Sequence, residues 1–303
     1  MKTILVPTDF SENAAVAYDY AVMLAGKTGA TIHLLHIMDG PYSAPTPEGD
    51  NKIAAGAHYM MEVMKFTKLR ISKLKNSKVF KNVKVIDAIE IGNVPSKIYE
   101  SAKKYKADMI VMGTHGVSGF QESLLGSNAE RVIRNAEIPV LSVRDKIKSS
   151  KISIIVFATD FSKETELVLP AVSKISAMFN AKLMLMKIVT MVDFESTHET
   201  EKQIEKFWKH NKIYKCPTQI YYAYSKDEGI RDFAANAKAD MIALGTHGRH
   251  GLSHLFKGSI AEEVVNHASL PVLTFNFHKK LLKESAKGKK RKPSIKNNPS
   301  WVY

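Results

Sequence analysis

The chain of 303 residues carries one segment twice, and this repeat constrains its fold more than any other feature. Residues 107–116, ADMIVMGTHG, return 132 positions later as residues 239–248, ADMIALGTHG. A shorter segment, residues 7–11, returns after 151 positions as residues 158–162. Because the two offsets differ by 19 residues, we expect an insertion in the first copy at residues 40–57, where Gly, Pro and Ser cluster.

The repeat predicts two homologous domains. We expect them at residues 1–146 and 151–278, followed by a basic tail at residues 279–303. Each copy alternates short apolar runs rich in β-branched residues with stretches of helical period. This alternation is typical of a parallel α/β sheet covered by helices on both faces. The last strand of each domain, 140–143 and 272–275, would be an apolar edge that is prone to aggregation unless another strand covers it.

Hydrophobic period also places the individual elements of the first half. Gly29 marks the end of the first helix, and the second half repeats the same order of elements. Pro170 falls inside the first helical pattern of the second half, where we expect a kink or a late start. The predicted strands are 3–8, 31–38, 83–90, 108–112 and 140–143, and the predicted helices are 12–27, 59–76, 95–106 and 127–135.

Composition and charge narrow the functional class. No apolar run approaches the roughly 18 residues of a membrane span. The apolar segment at residues 4–7 is too short for a signal peptide. Cys216 is the only cysteine, which is typical of a reducing compartment. We therefore expect a cytoplasmic protein that does not contact a membrane.

The net charge of +14 is concentrated at the carboxyl end of the chain. Residues 278–303 contain nine Lys and Arg against one acid, Glu284, and few apolar residues. Such a tail is typical of a solvated, disordered arm. We therefore expect contact with nucleic acid only through this tail, if at all.

Acidic and glycine residues follow the first and fourth predicted strands of each half. Asp9 and Asp160 come after the first strands, and Gly113 and Gly245 come after the fourth. In an open α/β sheet, ligands bind beyond the carboxyl ends of the strands, where the winding direction reverses. The fourth strand opens a loop of spacing G-x2-G-x9-G-S that runs into a helix, whose start offers unpaired N–H groups. The pattern therefore predicts a phosphate-binding loop in each half.

A purely structural interpretation of the same residues stays open. The segments SNAE at 127–130 and SIAE at 259–262 fit a capping box, so their serines could act as helix caps alone. Asp9 and Asp160 could likewise cap the next helix, and the glycines could only form turns. The occurrence of the whole set twice in one chain favours the ligand site.

This set of residues resembles the nucleotide-binding branch of the universal stress protein family, over residues 1–277 and as a tandem pair. The resemblance implies two doubly wound, Rossmann-like domains with strand order 3-2-1-4-5. It also implies that the two edge strands pair within the chain, which gives an intramolecular pseudo-dimer. Ala158 replaces the proline found at Pro7, and Asn128 stands where a β-branched residue is usual. We expect these two differences to affect the affinity for the nucleotide more than the location of the site.

The resemblance further implies an adenine-nucleotide site in each half, with Mg²⁺ accompanying a triphosphate. In the first half, the adenosine end would be held by Thr8, Asp9 and Ile37, and the ribose and phosphates by Gly113, Gly116, Gly126, Ser127 and Asn128. The corresponding residues of the second half are Thr159, Asp160, Ile188, Gly245, Gly248, Arg249, Gly258, Ser259 and Ile260.

The expected function is therefore an ATP-binding or related adenine-nucleotide-binding module of the stress response, with an unidentified protein partner or a homo-oligomer as its readout. The sequence has no Walker motif, no G-x-G-x-x-G motif and no recognisable catalytic triad, so it nominates no catalytic residue. Two alternatives stay open. One is a slow ATPase or phosphotransferase, and the other is a nucleotide-independent interaction protein whose tail binds a polyanion.

Overall fold

The computed structural model describes residues 1–38, 50–114, 125–147, 151–193, 195–210, 216–246 and 260–277. Five residues of the expected nucleotide sites and the whole expected tail lie outside this part of the chain. Those five are Gly116, Gly248, Arg249, Gly258 and Ser259.

The first half alternates strands and helices as predicted. Its elements are β1 (Thr3–Thr8), α1 (Glu12–Thr28), β2 (Thr31–Met38), α2 (Asp50–Lys75), a 3-10 turn (Lys78–Phe80), β3 (Val85–Ile91), α3 (Val94–Lys104), β4 (Met109–Gly113), α4 (Ser127–Asn135) and β5 (Val140–Val143). The second half repeats the order with β6 (Ile154–Ala158), α5 (Lys163–Phe179), β7 (Lys182–Val189), α6 (Thr197–His210), β8 (Thr218–Tyr222), α7 (Lys226–Asn236), β9 (Met241–Thr246), α8 (Ile260–His267) and β10 (Val272–Asn276).

The strands form one ten-stranded sheet in the order β3-β2-β1-β4-β5-β10-β9-β6-β7-β8. Pairing is parallel within each half, and the halves meet where β5 and β10 pair antiparallel, with Leu141 opposite Leu273. Each half therefore has the order 3-2-1-4-5, and the edge strands cover one another. The predicted fold and intramolecular pseudo-dimer are confirmed.

Two apolar layers flank the sheet, and each layer extends across both halves. One contains α1 and α5 residues such as Leu24 and Leu169, and the other contains α4 and α8 residues such as Val132 and Val264. Odd and even positions of a strand point to opposite faces, so Val6 joins the first layer and Leu5 the second. A site residue at the end of a strand therefore faces one layer or the other according to its position in the strand.

Helix ends follow from local chemistry. Ser11 caps α1 by accepting a hydrogen bond from the Ala14 amide at 3.0 Å, and Gly29 ends α1 with a left-handed φ of 69°, as predicted. In α5, Ser162 caps the start and the helix runs through Pro170. The expected late start of this helix is wrong, because the Ser162 cap and two acids in the first turn stabilise its beginning.

The structure also corrects the start of α2. The helix begins at Asp50, nine residues before its predicted start, so part of the expected insertion extends a helix. Residues 50–58 read DNKIAAGAH, and Asp at a helix start followed by three alanines compensates for a single glycine.

Two hydrogen bonds tie the halves together in a pseudo-symmetric manner. The Arg144 guanidinium donates to the carbonyl oxygen of Asn266 at 2.8 Å, and the Asn276 side-chain amide donates to the carbonyl oxygen of Arg134 at 2.7 Å. The repeat offset relates Arg134 to Asn266 and Arg144 to Asn276. The interface thus keeps the approximate two-fold symmetry of a dimer within one chain.

No helix among the described residues is long and apolar enough to cross a membrane.

Candidate binding site at the strand ends

Each half has one point where the winding direction of the sheet reverses. β1 and β4 lie side by side, but the chain leaves β1 towards β2 and leaves β4 towards β5. The carboxyl ends of β1 and β4 therefore bring Thr8 and Gly113 to the same edge of the sheet, with a crevice between the diverging connections. β6 and β9 repeat this arrangement with Ala158 and Thr246.

The turn after the first strand has the same unusual geometry in both halves. Phe10 and Phe161 adopt φ values of 61° and 57°, in the left-handed region that bulky residues rarely occupy. A threonine hydroxyl holds each turn, since Thr8 accepts from the Phe10 amide at 3.0 Å and Thr159 from the Phe161 amide at 2.9 Å. A strained turn that occurs at both switch points indicates a functional constraint.

The two aspartates hold these turns and do not cap the helices. Asp9 and Asp160 each accept a hydrogen bond at 2.9 Å from the amide two residues ahead, that of Ser11 or Ser162, and these serines are the caps. Burial raises the pKa of Asp160, but hydrogen bonds from Thr165 and Ser162 outweigh it and hold this pKa below its ordinary value. Asp160 is therefore an ionised acceptor at neutral pH.

A cavity of about 250 Å³ adjoins Asp9 on the α1/α2 face of the sheet. The Phe10 ring lies 4.5 Å from the His36 ring, and the Arg70 guanidinium lies 4.5 Å above the same Phe10 ring. The cavity combines an aromatic stack, a cation and a carboxylate. Its lining residues are Asp9, Phe10, His36, Val63, Phe66, Thr67 and Arg70.

The protonation state of His36 follows from its hydrogen bond. Its Nδ1 lies 2.7 Å from the carbonyl oxygen of Thr8, and because a carbonyl only accepts, Nδ1 carries the proton. Burial lowers the pKa of His36, so its ring is neutral near pH 7. Its Nε2 is then an acceptor.

The second half differs at the same position. The repeat places Lys187 where the first half has His36, and Lys187 is buried. Its ammonium pairs with Glu195 at 2.5 Å and donates to Gln203 at 2.6 Å. An ion pair thus takes the place of the imidazole, which makes the two halves chemically distinct at this position.

The first glycine of each loop is required by packing. A Cβ on Gly113 would lie 2.5 Å from the backbone oxygen of Asn13 in α1, and a Cβ on Gly245 would lie 2.0 Å from the Phe277 ring. Real Cβ atoms do not approach other atoms so closely. Neither glycine could carry a side chain unless α1 or Phe277 moved.

The first loop closes where α4 begins. The Gly126 amide donates to the carbonyl oxygen of Thr114 at 2.9 Å, which returns the chain to the end of β4. Gly126 occupies the cap position, and no side chain of the described residues caps α4, so the capping-box interpretation of Ser127 is wrong. Ser127 is the first residue of α4 and is exposed, and Asn128 follows it in the same turn. Ile260 is likewise the first residue of α8 and is exposed.

A buried hydroxyl at the end of β9 has no hydrogen-bond partner in the part of the chain that the structure describes. Thr246 is 5% exposed, and its Oγ1 makes no hydrogen bond among the described residues. Thr246 shares the α7/α8 face with Leu244 and Ile242, two and four residues before it respectively. A buried unpaired hydroxyl costs free energy unless a ligand or water satisfies it, so this atom fits a polar ligand group.

The remaining expected contacts lie on the same face of the sheet. Ile37 packs on the α3/α4 layer, and Ile188 is buried in the α7/α8 layer. A Cβ on Gly229 of α7 would lie 3.0 Å from Ile188 Cγ2, so this glycine lets α7 approach Ile188 closely. Among the described residues, no group of three His, Cys, Asp or Glu is placed to hold a metal ion.

Sequence reasoning missed His36, Arg70 and Thr246. The alternation of strand positions could have placed His36 beside α2. Arg70 could not be found in this way, because it is one cation among several on α2. Thr246 stands out because it combines its place at a strand end with a buried hydroxyl that has no partner among the described residues, which no sequence pattern reveals.

Comparison with known proteins identifies the family. A model of the universal stress protein family matches residues 1–144 and 151–276. Universal stress protein Slr1230 of Synechocystis is 25% identical over 295 residues, covering 91% of this chain and 100% of that protein. Universal stress protein MJ0531 of Methanocaldococcus jannaschii is 34% identical over 145 residues, covering 47% of this chain and 82% of that protein.

A solved structure shows the same fold over nearly the whole length. The crystal structure of a universal stress protein from Archaeoglobus fulgidus superposes with a TM-score of 0.63 at 20% identity, covering 91% of this chain and 98% of that one. With two family matches in tandem and one continuous sheet, the chain belongs to the universal stress protein family.

Proposed function

We propose that each half binds an adenine nucleotide, ATP or a relative of it, beyond the carboxyl ends of its first and fourth strands. The observation that carries the proposal is the left-handed turn at Phe10 and Phe161. It occurs at both switch points, and in each half an equivalent Thr and Asp hold it. Both halves have a strained backbone at the edge where α/β sheets bind ligands, which supports a binding role for both turns.

Two further observations support the nature of the ligand. In the first half, the cavity beside Asp9 offers an aromatic ring, a cation and a neutral imidazole acceptor, which suit a flat heterocycle with donors on its edge, on the face of the sheet opposite to Ile37 and α4. In the second half, the Thr246 hydroxyl, which has no partner among the described residues, suits an oxygen-rich group such as ribose. In the first half, the start of α4 suits a phosphate group. Mg²⁺ would arrive with a triphosphate, and the protein would respond as a regulatory module.

The decisive measurement is mass spectrometry of small molecules released from the purified full-length protein, followed by calorimetry with ATP and AMP. We expect an adenine nucleotide in the released fraction, and weaker binding in Asp9→Ala and Asp160→Ala. Asp19→Ala, which removes an exposed acid of α1, is the matched control and should bind as the unaltered protein does. If no adenine nucleotide is released and neither nucleotide binds, the proposal is wrong.

The sequences of the two loops predict a difference between the sites. The second loop carries Arg249 and Lys257 where the first has Val117 and Leu125. Because cations favour a more highly charged phosphate chain, we expect the second site to prefer ATP over AMP more strongly than the first does. Titration of Gly116→Val and Gly248→Val, each altering one loop, checks this, and equal preference in both variants would contradict it.

A further inference from the structure

The end of the first loop is held by the other half of the molecule. The Leu125 amide donates to Oδ1 of Asn266, a residue of α8, at 2.6 Å. The next amide, that of Gly126, donates to the carbonyl oxygen of Thr114, the residue directly after β4, at 2.9 Å. Two successive amides are therefore fixed, one by the residue that follows β4 in the same half and one by a helix of the second half.

Asn266 is itself held in place. Its carbonyl oxygen accepts from the Arg144 guanidinium at 2.8 Å, so both its backbone and its side chain make bonds to the first half. Arg144 directly follows β5, the strand that pairs with β10. Asn266 is thus anchored at the junction of the sheet, and its amide oxygen is presented at a defined place.

The residue related to Asn266 by the repeat is Arg134, and it contacts the second half from the first. Arg134 occupies the repeat position of Asn266, and its Nε donates to Glu262, in the first turn of α8, at 2.8 Å. Glu262 is buried, and burial of a carboxylate is tolerated when such a pair satisfies it. Asn266 and Arg134 are therefore equivalent residues that each contact the other half. Asn266 contacts the end of the loop before α4, and Arg134 contacts the first turn of α8.

We propose that Asn266 is a positioning residue for the first candidate site, which is complete only when the second domain is docked. The inference rests on the proposed nucleotide binding. An amide bonded at 2.6 Å fixes the peptide before Gly126, and with it the direction in which the first N–H groups of α4 point. Without the acceptor, of these two described amide bonds the one from Gly126 to Thr114 remains.

Hydrogen exchange measured by mass spectrometry on the full chain tests this with and without ATP as the probe. In Asn266→Ala we expect the Leu125 amide to exchange about five-fold faster, as the loss of one net hydrogen bond implies. We expect the ATP concentration that half-protects residues 113–127 to rise by a similar factor, about five-fold. The midpoint for residues 245–260 should stay unchanged.

Three variants make the result specific. Asn266→Asp keeps an acceptor oxygen and should restore slow exchange at Leu125. Asn276→Ala removes the pseudo-symmetric hydrogen bond to the Arg134 carbonyl oxygen, which does not involve Leu125, and should leave Leu125 unchanged. Asn266→Leu, of similar size but without an acceptor, provides the same test if Asn266→Ala does not fold.

Unchanged exchange at Leu125 in Asn266→Ala, or an equal increase in Asn276→Ala, would overturn the inference. The exchange experiment without ATP separates this failure from that of the proposed function. If ATP protects neither loop of the unaltered protein, nucleotide binding is wrong, while the exchange rate at Leu125 still decides whether Asn266 positions the loop.

Discussion

At the scale of single residues, the glycine at the end of β4 combines a packing role with a place in the candidate site. In Gly113→Ala, the new Cβ would lie 2.5 Å from a backbone atom of α1, which cannot rotate away. We expect the free energy of unfolding to fall by about 1–3 kcal/mol, measured by urea denaturation. Gly26→Ala is the control, because nothing lies within 4 Å of its Cβ, and it should stabilise α1 by about 0.5–1 kcal/mol. Equal stability of Gly113→Ala and the unaltered protein would contradict the packing role.

Removal of the Thr246 hydroxyl, which has no partner among the described residues, is expected to stabilise the protein. Thr246→Val replaces this hydroxyl by a methyl group of the same shape, so the free protein should gain about 1 kcal/mol while nucleotide affinity at the second site falls. Thr274→Val is the matched control, since the hydroxyl of Thr274 donates to Val140 at 3.3 Å and its removal should destabilise the protein. Calorimetry and thermal unfolding measure both effects. A loss of stability in Thr246→Val would mean that the hydroxyl has a partner.

His36 predicts a dependence of stability on pH. Burial holds its pKa below the ordinary 6.5, so the unfolded chain binds the proton more readily. The contribution of His36 is complete above about pH 6.5 and decreases as the pH falls through the lowered pKa. In His36→Phe, which keeps a ring against Phe10, the free energy of unfolding should fall less between about pH 7 and about pH 5. Identical pH profiles would show that His36 is not buried as described.

At the scale of elements, α5 contains a destabilising residue that the helix tolerates. Pro170 is exposed in the interior of the helix, where a proline removes one backbone hydrogen bond and crowds the preceding turn. Pro170→Ala should therefore raise the free energy of unfolding, by up to about 3 kcal/mol, in urea denaturation. Exchange of Ala171 for Gly, on the same helix, should lower it. No gain from Pro170→Ala would mean that the backbone near Glu166 has already adapted.

The elements also show what a sequence can predict. The bounds of β1, β2, α4 and β5 were predicted to the residue, because short buried strands and a repeated motif leave few alternatives. The start of α2 was missed, since Gly and Pro before it suggested a long loop. The role of Ser127 was missed because Gly126 takes the cap position, which depends on how the loop returns to Thr114. Contacts such as that of Leu125 with Asn266 depend on the docking of the halves, which no local pattern encodes.

At the scale of the whole molecule, the junction between the halves covers two apolar edges. All four residues of β5 are buried, and β10 pairs with three of them. A chain of residues 1–146 alone would expose this edge, so we expect it to dimerise through β5 or to aggregate, as measured by light scattering. A monomeric fragment at high concentration would contradict this role of the junction.

The pairing of β5 with β10 also affects how such a protein can change over generations. In a dimer of identical subunits, every substitution enters both sites at once, so neither can specialise while the other keeps its original chemistry. Here each half of the interface is encoded separately, and His36 and Lys187 already differ at one repeat position. Joining the subunits through one antiparallel strand pair lets the two sites acquire different specificities, while the sheet that holds them together stays intact.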